Sequence, residues 1–135
     1  MTNGVIQRKL ALLDTQVINL KKYLYDVNRE VFVDDWGLRS MAERALQVAI
    51  EIVIDIAERI IALKGAGPVA TANDAIKRLV DLRVLDSAAP YAEMVRFRNF
   101  LVHEYEEIDP DLLFHLATEK LGDFARFRQE IDRME

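Results

Sequence analysis

The sequence has no cysteine, and its 135 residues include only 5 glycines and 3 prolines. Without cysteine there is no disulfide framework, no thiolate metal site and no cysteine nucleophile. A small scaffold stapled for an oxidising compartment is thereby set aside, and a cytoplasmic location is expected. No apolar run exceeds four residues, so no segment is expected to cross a membrane. The first eight residues, Met1 to Arg8, lack the basic start and long apolar stretch of a signal peptide. Positive charge is also scarce: 18 basic residues face 23 acidic ones, giving a formal charge of −5. That balance argues against a protein that wraps nucleic acid by neutralising many phosphates, but it leaves room for a small local phosphate site. Histidine occurs only as His103 and His115, so any histidine chemistry passes through one of these two.

What is present reads as helix. With 51% hydrophobic and 30% charged residues the composition is globular rather than disordered. The length corresponds to one domain, residues 1–135. Leu10, Leu13, Val17, Leu20 and Leu24 recur at three- and four-residue steps, predicting a first helix over residues 3–28. Val31-Phe32-Val33, followed by Asp34, Asp35 and Gly37, reads as part of a turn. Residues 38–64 form the longest predicted helix, opened by a capping box of Ser40 and Glu43. Its apolar surface is broad, leaving a narrow polar stripe of Glu43, Gln47, Glu51, Asp55 and Glu58. A helix this apolar is buried on most sides, which suggests a dimer.

Gly65-Ala66-Gly67-Pro68 ends that helix: glycine caps it and proline blocks its continuation. It is not a phosphate loop, because no strand precedes it and no Gly-Lys-Ser/Thr follows. Thr71 with Asp74 opens a third helix ending near Arg83. Asp86 or Ser87 caps a fourth that runs to about Val102. Asp109-Pro110 starts a fifth, with an apolar face of Leu112, Leu113, Leu116, Leu121, Phe124 and Phe127. Period-two alternation is missing. The expected fold is therefore all-α, a bundle of about five helices.

One segment is chemically dense. Arg96-Phe97-Arg98-Asn99-Phe100-Leu101-Val102-His103-Glu104-Tyr105 carries two arginines, an asparagine, a histidine and a tyrosine. At about 100° per residue, Asn99 and His103 share a helix face, while Arg98 and His103 stand about 140° apart. Arg98 and His103 converge only if the helix ends near His103, or if a second copy of the segment faces the first across a dimer axis. Arginine presents a planar charged fork that suits phosphate, and histidine moves protons near neutral pH. RNA brings its own nucleophile, the 2′-OH, so its cleavage needs proton transfer and stabilisation of the charged phosphorus centre, without a metal. Two histidines suit that reaction, and a symmetric dimer supplies them. On spacing alone, a histidine near a helix end is more often a capping or partner-bound group than a catalyst.

Arg98-Asn99-Phe100-Leu101-Val102-His103-Glu104-Tyr105 resembles the Arg-x4-His-x-Tyr motif of HEPN-fold ribonuclease toxins of the HepT family. The long helix, Glu43 to Glu51 and on through Asp55-Ile56-Ala57, is similar as well. The resemblance implies a HEPN-type all-α bundle, a homodimer with the two motifs facing in a cleft, and metal-independent endoribonuclease activity on RNA. It implies a partner, a small MntA-type nucleotidyltransferase antitoxin that transfers AMP from ATP to the motif tyrosine, with room for a larger complex. Carried over, Arg98 stabilises the scissile phosphate, His103 is the acid/base and Tyr105 becomes O-AMP-tyrosine. The toxin itself then needs no cofactor and no metal. An AMP group would add negative phosphate and bulk to the cleft, opposing substrate phosphate.

Four residues take supporting positions. Asn99 sits one turn before His103 and is placed to orient it. Arg96 adds a phosphate contact or forms a surface ion pair. Glu51 and Asp55 face the cleft, stay solvated on their stripe, or pair with a motif arginine. His115, between Phe114 and Leu116, reads as structural or surface. Two other functions fit the same residues: a non-catalytic nucleotide-binding or scaffolding bundle that partners a nucleotidyltransferase, and a helical oligomerisation protein.

Overall fold

The structure is a computed structural model describing residues 4–103 and 108–134. These form seven helices and no strand: α1 (Gly4–Tyr23), α2 (Arg29–Asp34), α3 (Trp36–Leu63), α4 (Ala72–Asp81), α5 (Ala89–His103), α6 (Pro110–Glu119) and α7 (Gly122–Asp132). The all-helical reading holds. The helix count and several boundaries differ from the sequence expectation for local physical reasons.

The first helix stops at Tyr23 rather than near residue 28. Asp26 adopts a positive φ of 60°, a left-handed geometry that a helix cannot propagate. Asn28 then caps a new helix by accepting a hydrogen bond from the Val31 N–H at 2.9 Å. Val31-Phe32-Val33 is thus helical, not a turn. Phe32 is fully buried, its ring 5.0 Å from that of Phe114.

The long helix begins at Trp36, and the Ser40–Glu43 capping box does not form its start. Asp35 caps it, accepting from the Leu38 N–H at 2.9 Å, and Ser40 and Glu43 lie inside the helix. Its other end behaves as expected. Gly65 takes φ 63°, Ala66 N–H donates to Ile61 O at 2.9 Å and Gly65 N–H donates to Ala62 O at 3.1 Å, the Schellman pattern. Thr71 caps α4 through the Asp74 N–H, and Asp109 caps α6 with Pro110 at its first position. The expected fifth helix breaks at Lys120–Leu121, so α6 and α7 are separate.

Helix α3 is the axis of the molecule, packing against α1, α2, α4, α5 and α6. It buries Ala42, Leu46, Ala49, Val53, Ile56 and Ile60, among others. Alanine at every turn or so lets neighbouring helices approach closely, and each fully buried leucine or isoleucine contributes about 1.5–3 kcal/mol. The partners bring Leu10, Leu13 and Leu20 from α1, Ile76 and Leu79 from α4, and Tyr91 and Val95 from α5. The fit of α5 on α3 matters most for function, because it orients the last two turns of α5.

Candidate functional site

Arg98, Asn99 and His103 all lie on α5, which is described through His103. His103 is exposed, and Arg98 and Asn99 are half-buried. Tyr105 lies outside the described residues.

Arg98 points toward α3. Its Nε lies 3.1 Å from the Oε1 of Glu51, with the arginine side chain 20% exposed and the glutamate 52% exposed. The Nε atom is shielded from solvent, yet its approach to Glu51 is not aligned as a hydrogen bond. Charge, not a directed bond, holds this contact. An ion pair with so exposed a partner is worth little, so a phosphate offering two aligned oxygens can take the guanidinium. Of the three readings left open for Glu51, pairing with a motif arginine is the one observed.

Asp55 is not part of that pairing. It binds Lys9 of α1 at 2.5 Å and Arg59 at 3.2 Å. Partial burial opposes its ionisation, but the hydrogen bonds from Lys9 and Arg59 outweigh burial and hold the carboxyl below the usual aspartate value. Asp55 thus ties α1 to α3 one turn beyond Glu51. An open groove of ≈ 460 Å³ runs along this face, lined by Lys9, Arg44, Gln47, Glu51 and Asp55. Lys9 and Arg44 escaped the sequence reading. Arg44 was detectable, since it sits three and seven residues before Gln47 and Glu51 on the same stripe. Lys9 was not, since only packing of α1 on α3 brings it there.

Arg96 is exposed on another side of α5 and has no ion-pair partner among the described residues. His115 is exposed on α6, with Nδ1 2.6 Å from Oε2 of Glu119, which agrees with its surface reading. Among the described residues no group of three or more His, Asp or Glu side chains is placed to hold a metal ion. No helix among them is long and apolar enough to cross a membrane.

In chemical terms, α5 offers an exposed imidazole at His103 and, five residues earlier, a weakly restrained guanidinium at Arg98. Comparison with known proteins gives the family. A tRNA nuclease HepT of Aphanizomenon flos-aquae is 26% identical over 130 residues, covering 95% of this chain and 88% of that protein. An mRNA nuclease HepT of Shewanella oneidensis is 26% identical over 127 residues, covering 93% and 94%. The solved structure of a tri-AMPylated Shewanella oneidensis HEPN toxin in complex with MNT antitoxin superposes with a TM-score of 0.88 at 25% identity, covering 98% of this chain and 99% of that one. The family described as Ribonuclease HepT-like matches residues 13–131, and this chain belongs to it.

Proposed function

We propose that this chain is the endoribonuclease toxin of a toxin–antitoxin pair, cleaving RNA at a cleft that carries Arg98 and His103. The observation that carries this reading is the pairing on α5: His103 is exposed, and Arg98, half-buried, is held only by charge at Glu51. In the reaction, a histidine takes the proton from a ribose 2′-OH, and the oxygen attacks the adjacent phosphorus. The 5′-oxygen of the next nucleotide leaves and is protonated, giving a 2′,3′-cyclic phosphate and a 5′-hydroxyl. Arg98 stabilises the added negative charge on the phosphoryl oxygens, the kind of electrostatic assistance worth about 10²–10³ in rate. Asn99, one turn before His103, orients the imidazole. No step requires a metal.

Two copies of the chain make this cleft. Arg98 and His103 diverge by about 140° around α5, and base and acid are best supplied by two histidines. A homodimer places the second His103 and Arg98 opposite the first. Control comes from a nucleotidyltransferase antitoxin that uses ATP to add AMP to Tyr105; the Shewanella toxin described as tri-AMPylated and bound to MNT antitoxin supports this. The negative phosphate then occupies a cleft that depends on few cations.

The test uses purified, unmodified protein with RNA and EDTA. Cleavage is expected, and His103→Ala is expected to lose it while keeping its helical spectrum and oligomeric state. Equal cleavage by that variant removes His103 from the mechanism. Intact mass after co-expression with the neighbouring open reading frame reads the second part: adenylyl increments that vanish in Tyr105→Phe.

A further inference from the structure

A cavity of ≈ 390 Å³ opens between α5 and α6, lined by Arg96, Phe97, Phe100, Asp109, Leu112 and Leu116. Its volume falls in the range of small-ligand sites, roughly 300–1,000 Å³. Its walls are apolar and include two phenylalanine rings. Its charges are unequal in freedom. Asp109 is engaged as the cap of α6, accepting from the Asp111 N–H at 2.9 Å. Glu93, also at the cavity, faces Lys120 at 4.0 Å. Arg96 alone among the charged lining residues has no partner among the described residues. An aromatic slot with one unengaged cation at its mouth suits a flat apolar ring carrying an anionic group.

The position on α5 adds the second argument. At about 100° and 1.5 Å per residue, Arg96 and His103 lie within about 20° of each other around the helix and about 10 Å apart along it. Phe100 falls between them, about 60° from His103. Arg98 is on the far side, about 160° from Arg96, against Glu51. The cavity therefore opens on the His103 face of the helix, not the Arg98 face. A group about 10 Å from His103 is too far to share its phosphate and near enough to hold a neighbouring one.

We infer that the α5–α6 cavity is a nucleobase subsite for the RNA substrate, with Phe97 and Phe100 against the base and Arg96 on a phosphate next to the scissile one. It rests on the ribonuclease reading and adds to it a place where a nucleotide is gripped outside the reacting centre. Stacking on an aromatic side chain and a charge-assisted hydrogen bond each change affinity by about tenfold or more.

The test has a binding arm and a kinetic arm, both on the full chain. AMP is titrated calorimetrically beside ribose 5-phosphate, and an oligoribonucleotide is cleaved under the same conditions. AMP is expected to bind one per chain and about tenfold more tightly than ribose 5-phosphate. Arg96→Gln should weaken AMP and raise KM by about tenfold, with a much smaller change in kcat. Leu112→Trp, made at a rim residue that is 46% exposed, fills the cavity without touching the core and should abolish AMP binding. AMP binding no tighter than ribose 5-phosphate, or unaffected by Leu112→Trp, overturns the inference. So does a Leu112→Trp protein whose oligomeric state changes while AMP binding stays the same, because a second copy then occupies the cavity. Wild-type protein that binds AMP as expected but cleaves no RNA refutes the ribonuclease reading and leaves the subsite standing. Cleavage with a KM indifferent to both variants does the reverse.

Discussion

Glu51 of α3 meets Arg98 of α5 at 3.1 Å, across the packing seam of the two helices, 47 residues apart in sequence. The contact draws the Nε side of the guanidinium toward α3. On the proposed mechanism Glu51 is a positioning residue, acting through Arg98. Glu51→Gln should lower kcat about tenfold with little change in KM. Stability should fall by less than about 1 kcal/mol, because the carboxylate is half exposed. Arg98→Lys should lose more than Glu51→Gln, since an ammonium cannot fork onto two phosphoryl oxygens. A Glu51→Gln enzyme with unchanged kcat would show that the pair is only structural.

The start of α3 gives a second test. Asp35 accepts from the Leu38 N–H, so Asp35→Ala should cost about 1 kcal/mol in chemical denaturation. Ser40 lies within the helix, and Ser40→Ala should change stability by only a few tenths of a kcal/mol. The opposite ranking would mean that the helix begins at the later cap in solution.

These two cases mark what the sequence reveals and what it hides. Gly65, Thr71 and Asp109-Pro110 were legible because a cap is settled by a handful of neighbouring residues. Asp35 and Ser40 both satisfy that local chemistry. The choice between them is made by Phe32, whose burial against Phe114 needs α2 to be a helix and α3 to start at once after it. The Arg98, Asn99 and His103 constellation was legible because all three share one helix. Glu51 was a candidate with no fixed role, since only the packing of α3 on α5 selects Arg98 as its partner. Arg96 and the break between α5 and α6 were legible too, but the cavity beside Arg96 comes from the placement of α6 along α5, which no spacing rule supplies.

A buried carboxylate predicts an alkaline weakness. Glu130 of α7 is 5% exposed; it accepts a hydrogen bond from the Tyr91 hydroxyl and another from the Asp86 N–H at 3.0 Å. Burial, and then the hydrogen bond and charge of Glu130, push the Tyr91 phenol well above its ordinary value. A raised value means the folded state holds this proton more tightly than the unfolded one. The contribution is complete below the ordinary tyrosine pKa, near ~10, and is lost progressively as pH rises above it. Urea unfolding should therefore weaken steeply above about pH 10, and Tyr91→Phe should flatten that slope. Glu130→Ala should cost about 1–3 kcal/mol at neutral pH, because it strands the buried Tyr91 hydroxyl and removes the acceptor of the part-buried Asp86 N–H.

Salt dependence tests the scarcity of positive charge directly. A chain of net charge −5 has little general attraction for RNA, so binding must rest on individual contacts. If two copies each present Arg98 and Arg96 to phosphates, about four phosphates are neutralised. For single-stranded RNA the slope of log affinity against log salt is then about −3, using roughly −0.7 per phosphate. Arg96→Gln removes one contact per chain, two per dimer, and should bring the slope to about −1.5. Glu119→Gln, on the exposed partner of His115 in α6, changes net charge without touching these contacts and should leave the slope where it was. A wild-type slope near −7 would instead indicate an extended RNA track along the protein, and would make the groove lined by Lys9 and Arg44 the first surface to mutate.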